Sequence, residues 1–98
     1  METRTDRSHP PAPDMSDVEA RLRAVVAAHL DVDPDRLLAG ARLSDDLGID
    51  SLDAVELTMV LEDEFDIDLP DEVVADVRTY GEVLEMVVYQ AELRAGRL

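Results

Sequence analysis

From Leu52 to Glu64 the chain contains neither glycine nor proline and is rich in good helix formers. Asp50 stands before this run as a natural cap, and Asp66, Asp68 and Pro70 close it, which predicts a helix from Asp50 or Ser51 to about Phe65. Elsewhere too, apolar residues recur at three- and four-residue steps and never alternate as they would along a strand. Val18, Leu22, Val25, Val26 and Leu30 follow that rule, predicting a first helix over about 16–29, capped by Ser16 or Asp14 and stopped by Asp31, Asp33 and Pro34. Pro70 followed by Asp71 and Glu72 suits a short helix over about 71–76, whose acids complement the helix dipole. Thr79 caps a further helix in which Val83, Leu84, Val87, Val88 and Leu93 repeat. Between the first two helices lies a long loop punctuated by Gly40 and Gly48, and Leu37, Leu38, Leu43 and Leu47 are expected to pin it to the core. The fold class is therefore all-α, a small four-helix bundle of three longer helices and one short one.

Ninety-eight residues, 46% of them apolar, are enough for one compact core. Residues 1–15, with Pro10, Pro11 and Pro13, read as a flexible tail; 16–93 read as the folded domain and 94–98 as a frayed end. Twenty-four acids face nine arginines and no lysine, and the net charge of -15 argues against nucleic acid and anionic membranes as partners. Basic protein surfaces fit better. The charge is also uneven: Leu43 to Val77 holds thirteen acids and no base. With no cysteine there is no disulfide, no thiolate metal site and no protein thiol, so any thiol chemistry must be imported. The N-terminal stretch lacks the apolar segment of a signal peptide, and a cytoplasmic monomer is expected.

On a helix of about 3.6 residues per turn, Ala54, Leu57, Thr58, Leu61 and Phe65 share one stripe, which should face the core. Leu52, Val55 and Met59 form a second. Asp53, Glu56, Glu62 and Asp63 surround it and could not be buried beside it without a large desolvation cost, so this stripe is expected to stay exposed as a docking strip. Carboxylates steer a basic partner, and small apolar anchors, with adaptable Met59 among them, hold it briefly. Ser51 opens both stripes. A serine at a helix start is ordinarily a cap, but Asp50 can fill that role, with Asp53 at the third helical position completing a capping box. The Ser51 hydroxyl is then unused, at a helix end that favours anions. Phosphorylation and a phosphodiester-linked group suit it equally.

A catalytic site is not supported. His9 lies in the tail, His29 ends the first helix, and no nucleophile, base and orienting group converge. Asp31, Asp33 and Asp35 begin like a calcium loop, but Arg36 and Arg42 occupy the positions of its glycine and bidentate glutamate.

The string Asp46-Leu47-Gly48-Ile49-Asp50-Ser51-Leu52-Asp53-Ala54-Val55-Glu56-Leu57 resembles the signature of acyl carrier proteins. The likeness continues through Leu61-Glu62-Asp63-Glu64-Phe65 and Leu69-Pro70-Asp71-Glu72, covering about 80 residues in all. It implies that Ser51 bears 4′-phosphopantetheine, whose thiol carries intermediates as thioesters between separate enzymes. It implies that Asp50, Leu52, Asp53, Val55, Glu56, Met59, Glu62 and Asp63 meet basic patches on a phosphopantetheinyl transferase, a ketosynthase, and an acyltransferase or acyl-loading ligase. Leu61, Phe65 and Val77 are the implied lining of a shelter for the acyl chain. Gly48-Ile49-Asp50 ahead of the serine is closer to fatty acid and polyketide carriers than to peptidyl carriers. Alternatives are an aminoacyl or peptidyl carrier and a phosphorylation-regulated helical interaction module.

Overall fold

A computed structural model describes residues 15–96. Helix α1 spans Met15–Leu30, α2 Ser51–Phe65, α3 Asp71–Val74 and α4 Tyr80–Arg94. The described residues contain no strand, and none of their helices is long and apolar enough to cross a membrane. Residues 1–14, including Asp14, and 97–98 lie outside the described residues; Ser16 is inside α1 and so is not its cap, and Met15 and Arg94, expected in the tail and the frayed end, are helical. Helix α3 is shorter than the expected 71–76, closing on bonds from the Val74 and Ala75 N–H groups to the Pro70 and Asp71 carbonyls.

The core is assembled from Val18, Leu22 and Val26 on α1, Leu57 and Leu61 on α2, and Val83 and Val87 on α4. Ile67 and Leu69, flanking the turn before α3, are buried with them. The helical members of this core are inward positions that three- and four-residue spacing predicts, whereas Ile67 and Leu69 follow no helical period. Leu22 and Val87 are wholly inaccessible, so shortening either leaves a void that neighbours fill only in part, costing about 2–5 kcal/mol for the larger side chain.

The α1–α2 connection is more structured than a plain loop. Pro34–Arg36 forms a single 3₁₀ turn, with the Asp33 side chain accepting from the Asp35 N–H. Leu37 is fully buried and Leu43 and Leu47 are half-buried, as expected of pinning residues. Leu38 is the exception, 66% exposed, because the backbone turns there to return the Ala41 N–H to its carbonyl. The loop is instead stapled through its backbone to the start of α4. Leu43 donates to the Arg78 carbonyl, Tyr80 to Ala41 and Gly81 to Ala39, each at 2.9 Å, around an isolated antiparallel bridge between Arg42 and Thr79. Gly81 makes this approach possible, since a Cβ there would lie 2.9 Å from the Ala39 carbonyl oxygen.

A polar clamp ties the same loop to α1. The Arg23 guanidinium donates to the Pro34 and Leu37 carbonyls at 2.7 and 3.0 Å and to Glu19, and it lies 5.5 Å over the Tyr80 ring. Tyr80, 2% exposed, donates its hydroxyl to Glu19. Burial, and then the negative Glu19, push the Tyr80 pKa well above its ordinary value. The hydrogen bond to Glu19 raises that of Arg23.

Candidate functional site

Asp50 has extended backbone and caps α2: its Oδ1 accepts from the Asp53 N–H at 2.8 Å. In return the Asp53 carboxylate accepts from the Asp50 N–H at 3.3 Å, completing the capping box. Ser51 is therefore the first helical residue rather than the cap. It is exposed, and its hydroxyl makes no hydrogen bond among the described residues. The helix direction places unpaired first-turn N–H character and the positive dipole end at this position, which stabilises an anion attached there.

Beside Ser51 opens a cavity of about 410 Å³. Its walls come from α2 (Ala54, Leu57, Leu61), from α3 and the segment after it (Val74, Val77) and from α4 (Val83, Met86), and the loop residues Leu43 and Ile49 complete it. The interior is predominantly apolar. Thr58 also borders it, but its hydroxyl is bonded to the Ala54 carbonyl at 2.7 Å, so it adds no unsatisfied polar group. Two of the three expected lining residues, Leu61 and Val77, are in this wall. Phe65 is not. It lies under Arg21, whose guanidinium is 4.9 Å from its ring, against a separate hollow bounded by α1 and the end of α4. Phe65 and Leu61 share a stripe, but thirteen residues of helix separate Phe65 from Ser51, and the cavity does not extend that far.

The second stripe of α2 lies open. Leu52, Val55 and Met59 are 65%, 57% and 60% exposed, in contrast to buried Leu57 and Leu61 one step around the helix. Glu56 and Asp63 are exposed alongside. His29, at the last turn of α1, approaches the Glu56 carboxylate to 4.0 Å. Two acids are less available than their sequence positions suggest. Asp53 is half-buried in the capping box, and half-buried Glu62 accepts from the Leu69 N–H at 2.8 Å, fixing the turn that leads to α3. Strip and hydroxyl nonetheless adjoin, since Ser51 and Leu52 are consecutive and Val55 and Met59 follow at helical steps.

Arg78 and Arg42 also border the cavity, and the sequence pattern had offered no sign of it. They come to the site through the loop-to-α4 staple, a long-range backbone pairing that has no local sequence signal.

The arrangement has relatives. Residues 20–87 match the family profile described as the phosphopantetheine attachment site. Over 73 residues, 74% of this chain and 92% of the relative, the sequence is 47% identical to the acyl carrier protein of Phenylobacterium zucineum (strain HLK1). It is 45% identical to the acyl carrier protein of Caulobacter vibrioides (strain NA1000 / CB15N) over 73 residues, 74% of this chain and 94% of that one. The profile spans the helix with the unused hydroxyl, the cavity beside it and the strip along it, and the chain belongs to the acyl carrier protein family, non-catalytic carriers whose prosthetic group is 4′-phosphopantetheine.

Proposed function

We propose that this protein carries acyl intermediates as thioesters on a 4′-phosphopantetheine arm attached to Ser51, moving them between separate cytoplasmic enzymes of fatty acid or polyketide-type biosynthesis. The observation that carries this reading is the exposed, unbonded Ser51 hydroxyl at the mouth of an apolar cavity. The residues fit such a group. Because Asp50 performs the capping, a phosphate ester on Ser51 displaces no existing bond, and the first turn of α2 favours its charge. When bound, the arm supplies the thiol that a chain without cysteine lacks.

The chain's own residues bind, orient and shelter. Leu61 and Val77 contribute apolar wall to the cavity in which an acyl chain is withdrawn from water, at about 25 cal/mol for each Å² of apolar surface buried. Leu52, Val55 and Met59 are anchors for a partner enzyme. Asp50, Asp53, Glu56, Glu62 and Asp63 form its acidic surround, steering basic patches on a phosphopantetheinyl transferase, a ketosynthase or an acyltransferase toward Ser51. Glu56 and Asp63, with no backbone group to cap, are the most available of these carboxylates.

Incubation with coenzyme A and a phosphopantetheinyl transferase tests the reading by intact mass. The expected result is the gain of a single phosphopantetheinyl group, absent from Ser51→Ala. No gain, or a gain that survives the substitution, would overturn it.

A further inference from the structure

Carboxylates outnumber arginines so heavily in this chain that a guanidinium has many acids to choose from. Arg21 is 2.8 Å from Glu64, Arg42 3.6 Å from Asp45 and Arg94 3.1 Å from Asp66; Arg23 is bonded to Glu19. Arg36 donates to the Asp46 carbonyl. Arg78 differs from all five: its guanidinium has no partner among the described residues. Glu82, the acid nearest along α4, is already engaged, because its Oε1 accepts the Arg78 and Thr79 N–H groups at 2.7 and 3.2 Å. On its other side, the Arg78 carbonyl accepts from the Leu43 N–H at 2.9 Å. The backbone of Arg78 is thus held at both ends while its side chain is left uncommitted.

That residue borders the same cavity as Ser51, with Arg42 on the adjoining loop at the same rim. The single carboxylate among the cavity's lining residues is that of Asp50, which is occupied in the capping box. In a protein of net charge -15, the border of an apolar cavity therefore carries two arginines, one of them unpaired. A guanidinium presents a planar fork of donors that matches the paired oxygens of carboxylate and phosphate groups.

We propose that Arg78, assisted by Arg42, is an anion subsite of this cavity, which receives the oxygens of an anionic group borne by the arm on Ser51 or by its cargo. The inference rests on Ser51 as the attachment residue. Two sources offer the same chemistry: the phosphodiester of the arm, and a terminal carboxylate on a dicarboxylic acyl chain. Arg42 is the weaker member, since Asp45 already competes for it.

The test loads the protein from coenzyme A, adipyl-coenzyme A and the methyl ester of adipyl-coenzyme A, with intact mass checked first. Thioester cleavage by hydroxylamine is then measured, each rate divided by that of the matching coenzyme A thioester. If the carboxylate is the source, the adipyl form is protected roughly two- to fivefold more than its methyl ester, as an exposed charge pair allows. Arg78→Gln then removes the difference, while Arg94→Gln, on the far hollow, keeps it. If the phosphodiester is the source, the phosphorus NMR resonance of the unacylated form moves with Arg78→Gln and not with Arg94→Gln. Either response supports the subsite and identifies its ligand. A loaded protein in which neither responds overturns the subsite alone, whereas absence of the mass gain overturns the attachment reading and the subsite with it. Circular dichroism of Arg78→Gln, whose backbone bonds are retained, excludes loss of fold as the cause.

Discussion

Two helices of this protein begin with the same device and treat their hydroxyls in opposite ways. At α4 the cap is Thr79, whose hydroxyl accepts the Glu82 N–H at 3.2 Å while Glu82 reaches back to the Thr79 N–H. At α2 the cap is a carboxylate, Asp50, and the hydroxyl stands one residue later, where the geometry of the first turn asks nothing of it. Displacing a hydroxyl by one position along the chain converts a structural group into an available one. The same division runs around α2, where Leu57 and Leu61 hold the fold and Leu52, Val55 and Met59 do not.

The sharpest way to break this comparison is to delete each hydroxyl in turn. Ser51→Ala is expected to abolish phosphopantetheinylation completely and to leave the melting temperature unchanged. Thr79→Ala is expected to do the reverse, keeping the mass gain and losing about 1 kcal/mol, or about 4–8 °C in a domain of this size. A stability loss in Ser51→Ala comparable to that of Thr79→Ala would mean the serine shares the capping role.

Around α2, Leu61→Ala should cost about 2–5 kcal/mol in denaturant unfolding, against less than about 0.5 kcal/mol for Met59→Ala. Equal costs would dissolve the distinction between the two stripes. Glu56→Arg sharpens it further: transfer from a phosphopantetheinyl transferase at low salt should slow by roughly tenfold with helicity retained, because a surface carboxylate 4.0 Å from His29 contributes little to folding. Loss of helical signal in that variant would place Glu56 on the structural side instead.

The smallest effect concerns the clamp beside the α4 cap. The Tyr80 pKa is raised above its ordinary 10.0, chiefly by burial, so the folded chain retains a proton that the unfolded chain releases as pH climbs past that value. The associated stability is complete below pH 10.0 and is lost above it. Tyr80→Phe should flatten this alkaline decline and cost about 1 kcal/mol at neutral pH through the missing bond to Glu19. An alkaline decline as steep as that of the unsubstituted protein would assign it to other groups.

Much of this was legible in the chain itself. The bounds of α2, the roles of Asp50 and Asp53, the Thr79 cap and the exposed strip all follow from periodicity and capping, which are local rules. What escaped depends on contacts between distant segments. Leu38 is as apolar as Leu37, and which of them is buried depends on the turn from Leu38 to Ala41, whose Ala39 and Ala41 carbonyls are themselves stapled to α4. Phe65 shares a stripe with Leu61, yet it packs toward Arg21 at the other end of the helix. Glu62 looks like a surface acid until the turn before α3 brings the Leu69 N–H to it. Arg78 had no distinguishing neighbour in sequence; its lack of a partner emerges only when every other arginine with a described side chain has one.

Helix α3 bears on how the cavity behaves. It is four residues long, follows Pro70 with no side-chain cap and buries none of its residues, yet Val74 belongs to it and lines the cavity. Firm anchors stand on either side, Leu69 before it and Tyr80 after it, both nearly inaccessible. A short segment with few buried contacts, suspended between two fixed points, opens at a small fraction of the global unfolding free energy. The cavity is thus walled by two long, core-bearing helices and by one short helix, and if it were filled, the short side would be the first to yield, leaving the core contacts of α2 and α4 in place.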